Sequence, residues 1–353
     1  MKKHLGEIWF LIHFALEIIC YQFYYFYFGN AVIAGLLALV YDILAFAPQL
    51  FIAAFAEKFK KLSCGLVGAI MVLAGGACGF VPNEAVKIIG FLVLSLGNAF
   101  VHVGGAEATV YRCENKIAPS AIFIAGGAFG VVTGKLLGQY GNPFIIGWLI
   151  MLVFGALIPL SDKFKGERHT PTIQMADTKK PVPLIVFMAF FVVSVRGLLS
   201  YGIPMGWNKS VLHTILLFCM MGLGKALGGI LSDRLGAKKT ALISTGLSLP
   251  LILLGGENMW VSLVGIALFS MTTATTLGIL ISAMPKHPVV AYGISVTGLL
   301  IGSLPAAVPS VKGFISNAAV LSLFTVICFV MLYFIMFPDK ISVKKEVKKD
   351  DVS

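Results

Sequence analysis

Apolar runs of about 20 residues recur from one end of this chain to the other, separated by short polar turns. At 1.5 Å per residue, such a run is what a helix needs to cross the ~30 Å hydrocarbon core of a bilayer. Inside lipid every backbone N–H and C=O must be satisfied within its own segment, so the runs read as helices. Composition agrees, with 58% of the 353 residues hydrophobic and 12% charged and a mean hydropathy of +0.93, beyond what a water-soluble core carries. The runs predict twelve spans, near 8–28, 32–56, 62–81, 86–111, 118–138, 143–161, 182–203, 211–232, 239–256, 259–284, 289–309 and 316–337. The expected class is an all-α polytopic membrane protein with no soluble domain. The first run follows Met1-Lys2-Lys3 but is long, carries Glu17 and lacks a small-residue cleavage site, so it is expected to stay as helix 1 rather than leave as a signal peptide.

The net charge of +11 could suggest a nucleic-acid partner, but the cations are sorted by face. With both termini inside, Lys58, Lys60, Lys61, Arg234, Lys238, Lys239 and the lysines of the tail fall on the cytoplasmic side, and only Lys87, Lys209 and Lys312 fall outside. That is the positive-inside pattern. It predicts a multi-pass protein of the cell's inner (cytoplasmic) membrane, with cytoplasmic N and C termini, the bilayer as partner and no nucleic acid. The six cysteines show no CxxC spacing, so they signal neither a disulfide framework nor a metal site; no metal ligand and no cofactor is assigned. The aromatic end of helix 1 (Tyr21, Phe23, Tyr24, Tyr25, Phe26, Tyr27, Phe28) reads first as an interfacial belt, with stacking in a solute path as the second reading.

One stretch is more specific. From Gly224 to Thr240 a glycine-studded apolar helix runs into the turn Asp233-Arg234-Leu235-Gly236-Ala237-Lys238-Lys239. Gly224 and Gly228 share a face and predict a tight helix pair. Asp233 sits at the wrong end of its helix dipole for an anion, so it needs a cation or another helix's N-terminus. A degraded echo, Glu57-Lys58-Phe59-Lys60-Lys61, lies about half the chain earlier, a duplication or a chance likeness. The stretch resembles the signature loop of the major facilitator superfamily. The resemblance implies two parallel six-helix halves, 1–162 and 182–338, joined by a linker at 163–181 and followed by a basic tail at 339–353. It also implies a conformational latch in which Asp233 meets the start of helix 11 near Pro288, with Arg234, Gly236 and Lys238 beside it and Glu57 and Lys58 as first-half counterparts.

Ionisable residues within a span are costly and are by default functional candidates. His13 and Glu17 are four apart on one face of helix 1 near mid-span, which suits either proton coupling or a structural His–Glu hydrogen bond. Asp42 and Gln49 share a face of helix 2, where Pro48 should kink the helix and free a carbonyl; Asp42 is a second proton site or the partner of a cation such as Lys135. Asn98 and His102 share a face of helix 4, with Glu107 and Arg112 further along as a gate, a cap or plain solvated charges. Arg196 on helix 7 and Lys225 on helix 8 approach mid-membrane, to hold an anionic substrate or pair across the halves.

Four further stretches, His13-Phe14-Ala15-Leu16-Glu17, Gly97-Asn98-Ala99-Phe100-Val101-His102, the glycine run Gly126 to Gly134 and Arg196 with Tyr201-Gly202-Ile203-Pro204, resemble the fosmidomycin-resistance branch, which are proton-driven exporters. That resemblance implies a monomeric secondary transporter moving a small anionic or polar molecule, with protons and the solute as partners. Glu17, His13 and Asp42 would couple protons, and Arg196, Lys225, His102, Asn98, Tyr201 and Gln49 would contact substrate. Uptake of a small organic anion and a non-transporting sensor are the alternatives. No nucleophile–base set or HExxH is present, so no enzyme is expected.

Overall fold

The computed structural model describes residues 4–111, 115–163, 168–177 and 179–337. Among them there is no strand, and eleven helices are long and apolar enough to cross a membrane. In chain order these are α1 (Leu5–Tyr27), α2 (Ala34–Lys58), α4 (Glu84–Val110), α5 (Ala118–Gln139), α6 (Ile145–Asp162), α7 (Val182–Leu199), α8 (Val211–Leu235), α9 (Ala237–Leu254), α10 (Met259–Ala283), α11 (Pro288–Ala307) and α12 (Ala318–Met336). A shorter apolar helix, α3 (Cys64–Phe80), completes the twelve expected. Side chains that stop the backbone from fraying mark several starts: Ser63, Asn83, Ser210, Asn258 and Asn317 each accept a first-turn N–H, satisfying donors a helix cannot satisfy itself.

The same pairing is built twice. In the first half α1 packs on α5 and α3 on α4; in the second α7 packs on α11 and α9 on α10. The halves meet along α5 with α8 and along α2 with α11. Glycine makes the closest approaches possible. On α5, Gly126, Gly130 and Gly134 lie directly against the main-chain oxygens of Phe10, Phe14 and Ile18, and on α11 Gly302 lies against that of Ser194. In lipid, where neighbours are as apolar as leucine, such small-residue seams are what draws helices together. The tight pair expected of Gly224 and Gly228 is there too, against Ala267 and Met271 of α10, while Gly222 and Gly229 on the other flank of α8 receive Phe129 and Ala121 of α5.

α2 breaks at Ala47 and resumes at Gln49, as Pro48 demands. The Gln49 amide then donates to the Ala45 carbonyl at 2.7 Å, patching the interrupted ladder. The seven aromatics between Tyr21 and Phe28, at the end of α1, do not form one belt. At 3.6 residues per turn they are dealt onto different faces: Phe23 and Phe28 are buried against Phe91, Phe26 faces outward, and Tyr21, Tyr24 and Tyr25 line a cavity. The belt expectation is corrected accordingly.

The linker is more than a spacer. Its described part crosses the face that carries the basic turns, with Ile173 and Met175 buried. Met175 fills the notch at Gly278, the Ser282 hydroxyl accepts the N–H groups of Met175 and Ala176 at 3.2 Å, and Lys180 donates to the carbonyls of Phe334 and Phe337.

Candidate functional site

Glu17 is the hub of a buried polar cluster. It stands mid-way along α1, 6% exposed, where a carboxylate must find donors or a cation. Asn98 on α4 donates to its Oε1 at 3.0 Å and Tyr41 on α2 donates to its Oε2 at 3.2 Å. Asn98 also donates to the Tyr41 hydroxyl at 3.0 Å, closing a triangle across three helices, and its amide lies 3.6 Å from the Cys20 sulfur. His13 and His102 approach the same Glu17 Oε1 through Nε2, at 3.6 and 3.7 Å, their rings edge to face at 4.4 Å.

The far side of each imidazole fixes its tautomer. His13 Nδ1 lies 2.9 Å from the Phe123 carbonyl and His102 Nδ1 lies 3.0 Å from that of Asn98. A carbonyl only accepts, so Nδ1 carries hydrogen in both rings. In the neutral rings Nε2 is then bare, and both lone pairs face the carboxylate. Gly127 leaves the room that the His13 ring fills, because a Cβ there would meet Nε2 and Cε1. The donor atoms of His13, Glu17 and His102 all lie within 4.8 Å of one another. The sequence signals no metal ligand because these donors come from two helices with no metal spacing between them; proximity makes the constellation.

From this cluster a cavity of about 140 Å³ runs towards the end of the bundle opposite the basic turns, lined by Cys20, Tyr21, Tyr24, Tyr25, Ala38, Tyr41 and Asp42. Asp42 is half-buried on its wall, within electrostatic reach of Glu17. It has no ion pair with Lys135 among the described residues; the Lys135 ammonium sits over the Tyr25 ring instead. Tyr201, in the turn after α7, is close enough to Asp42 that partial burial and then this carboxylate push its phenol up. Lys225 on α8 is half-buried and lies within electrostatic reach of Glu17 and His102 from the other half.

Three other residues named from the sequence lie outside the cluster's hydrogen bonds. The Arg196 guanidinium donates to the Phe269 carbonyl and stacks on that ring, which anchors α7 to α10. Gln49 is fully buried and occupied with the kink. Glu107 is 4% exposed and ion-paired with Arg168 of the linker, so plain solvation is excluded for it. Arg168 also donates to the Ala56 carbonyl at 3.2 Å and covers the Tyr111 ring. Burial and then Glu57 push the Tyr111 phenol well up, keeping it a hydroxyl. Arg112 lies outside the described residues. Tyr41 and Cys20 were not singled out from the sequence; the visible sign was Tyr41 preceding Asp42 on the polar side of α2.

At the basic face the two acids close the bundle. The Asp233 carboxylate accepts the N–H groups of Ile117 and Ala118, at 3.0 and 2.9 Å, where α5 begins. The Glu57 carboxylate accepts those of Val289 and Val290, at 2.9 and 3.2 Å, where α11 begins, and meets His287 Nδ1 at 2.9 Å. The expectation that Asp233 meets helix 11 is therefore corrected: Asp233 serves α5 and Glu57 serves α11. The reason is the pairing of the halves, since α8 runs beside α5 and α2 beside α11. Gly236, at φ +93°, makes the left-handed turn that lets α9 start one residue after α8 ends. Arg234 is exposed, and Lys238 and Lys58 are exposed over the rings of Phe337 and Phe59; none of the three joins the carboxylate caps.

Twelve helices in two like halves, meeting along α2/α11 and α5/α8, make the major facilitator fold, that of a class of membrane transporters. The structure is similar to that of a major facilitator superfamily transporter, FucP, in the outward conformation (TM-score 0.67, 14% identity, 94% of this chain and 98% of that one). It is likewise similar to the E. coli fucose:proton symporter FucP (0.65, 15%, 94% and 98%) and to the human organic anion transporter MFSD10 (0.64, 12%, 94% and 99%). No family model and no curated protein matches the sequence.

Proposed function

We propose that this chain is a secondary active transporter that moves a small anionic or polar molecule by alternating access, coupled to protons at the Glu17 cluster and working in the direction of export. The observation that carries the reading is the asymmetry of closure. One face is tied shut by two carboxylate caps across the half-to-half interface, the other is entered by a cavity, and a buried carboxylate with two imidazoles lies between. A rocking of two halves is driven only by a ligand that binds the two states unequally. Glu17, His13 and Asp42 are the proton-coupling set; Lys225, with His102, Asn98 and Tyr201, contacts the solute. The basic face is the cytoplasmic one, by the positive-inside rule, and the working unit is a monomer in the inner membrane.

The membership of the fosmidomycin-resistance branch belongs to this proposal and rests on the motifs of α1, α4, α5 and α7. Uptake is the second reading, favoured by one observation: a structural neighbour is a fucose:proton symporter.

The test is proton release from detergent-solubilised protein challenged with a panel of small organic anions and amphiphilic drugs, followed by flux in proteoliposomes. Release on ligand addition that disappears in Glu17→Gln, together with flux driven by an imposed pH gradient, is the expected result. Ligand binding with no proton movement, unaltered by Glu17→Gln, sinks the coupling assignment.

A further inference from the structure

We infer that His13, Glu17 and His102 form a binding site for a divalent first-row transition-metal ion, carried as a second cargo beside the anionic or polar solute; the cargo role rests on the transporter reading above. Two imidazole nitrogens and one carboxylate oxygen converge within 4.8 Å. Around a four-coordinate ion with bonds of about 2.0–2.1 Å, neighbouring ligand atoms stand roughly 3.3 Å apart. The two His–Glu separations, 3.6 and 3.7 Å, need to contract only slightly to close on such an ion.

Tautomers make this more than proximity. Each ring gives its Nδ1 hydrogen to a main-chain carbonyl, Phe123 for His13 and Asn98 for His102, which is the outer-shell arrangement that aims a bare Nε2 at a metal. With neutral rings, three lone-pair atoms then face one another with no hydrogen between them, an arrangement that calls for a cation. One shared proton relieves a single contact, whereas a metal ion satisfies all three. The donor set, two borderline nitrogens and one oxygen, suits zinc, cobalt or nickel better than calcium or magnesium, which prefer oxygen alone.

The surroundings leave room for open coordination positions. Asn98 Oδ1 is buried with no partner among the described residues and can accept from a metal-bound water. Lys225 opposes a cation here, but Glu17 and Asp42 together outnumber it within electrostatic reach. The ion would lie mid-span on α1, behind Cys20 and Tyr41 at the inner end of the cavity, between that cavity and the two caps.

The experiment is titration of tag-free full-length protein in detergent with Co²⁺, read from its visible ligand-field bands and checked by Zn²⁺ displacement. It is run on wild type, Glu17→Gln, His102→Gln and a surface control, His213→Gln. The expected result is one ion per chain in wild type and the control, with affinity weakened at least roughly 10-fold in each cluster variant, since loss of even an outer-shell partner costs that much. Size-exclusion profiles matching wild type show that the variants are folded. Proteoliposomes enclosing a metal-sensitive dye then read Zn²⁺ flux, expected in wild type and lost in both cluster variants. Absence of Co²⁺ binding, or binding unaltered in both cluster variants, while organic anions still cross proteoliposomes, overturns the metal site and leaves the transporter reading standing. Metal binding with no flux of metal or of any organic solute overturns the cargo role and the transporter reading together.

Discussion

Asp233 at the end of α8 holds the first two N–H groups of the α5 region, from Ile117 and Ala118, in the opposite half of the molecule. Glu57 at the end of α2 does the same for α11. The two acids are 176 residues apart in the chain and hold equivalent places, each capping the first turn of a helix in the opposite half. An anion at a helix N-terminus meets both orphan donors and the positive end of the dipole.

Asp233→Asn and Glu57→Gln each keep a hydrogen-bond acceptor but remove the charge. At about 1–2 kcal/mol for such a cap, each is expected to shift the balance towards opening at the basic face by roughly 5- to 30-fold, because 1.4 kcal/mol is tenfold in an equilibrium constant. Accessibility of a cysteine placed at the start of α5 or α11 to a membrane-impermeant thiol reagent measures it. Unaltered labelling in both variants would show that the caps do not hold the face shut.

Gly130→Ala puts a methyl group against the Phe14 carbonyl and the Glu17 Cβ, where α1 and α5 have no slack. Overpacking of this kind costs about 1–3 kcal/mol. A lowered melting temperature in detergent is the expected outcome, with Gly246→Ala, whose added carbon meets only a ring edge of Phe329 at 3.6 Å, as the neutral comparison.

Arg168→Gln takes from the Glu107 carboxylate, which is 4% exposed, its ion pair with the linker. Removing one partner of a buried ion pair costs about 3–5 kcal/mol, and the slight exposure of Arg168, 12% of its side chain, places the loss at the lower end. The double variant Arg168→Gln with Glu107→Gln should recover much of the stability. Proteolysis within the linker reads the same event, since Arg168 fastens that segment to α2 and α4; equal stability of wild type and single variant contradicts the assignment.

Lys225→Gln and Arg196→Gln should separate. The first removes a charge that acts on the Glu17 cluster and, at about 1.5–3 kcal/mol for a hydrogen bond to a charged group, is expected to weaken binding of an organic anion by roughly 10- to 100-fold. The second removes a guanidinium held by Phe269 and is expected to lower thermal stability with little effect on affinity. Isothermal titration of the purified variants, with melting curves beside it, decides between them.

Much of this molecule was determined by the sequence alone. Twenty-residue apolar runs admit only helices in lipid, and the spacing of Gly224 and Gly228 or the place of Pro48 dictates a close pair and a kink, because these are properties of one segment and its solvent. His13 and Glu17, four apart on one helix, were legible as neighbours for the same reason. Tertiary structure decided what no single segment carries: that His102 and Asn98 join Glu17 while Arg196 does not, that three tyrosines of an apparent belt line a cavity, and which helix start Asp233 and Glu57 each cap. Those outcomes depend on how α1, α2, α4 and α8 are placed around one another. A helix's own periodicity fixes which side chains share a face, but only packing fixes what that face meets.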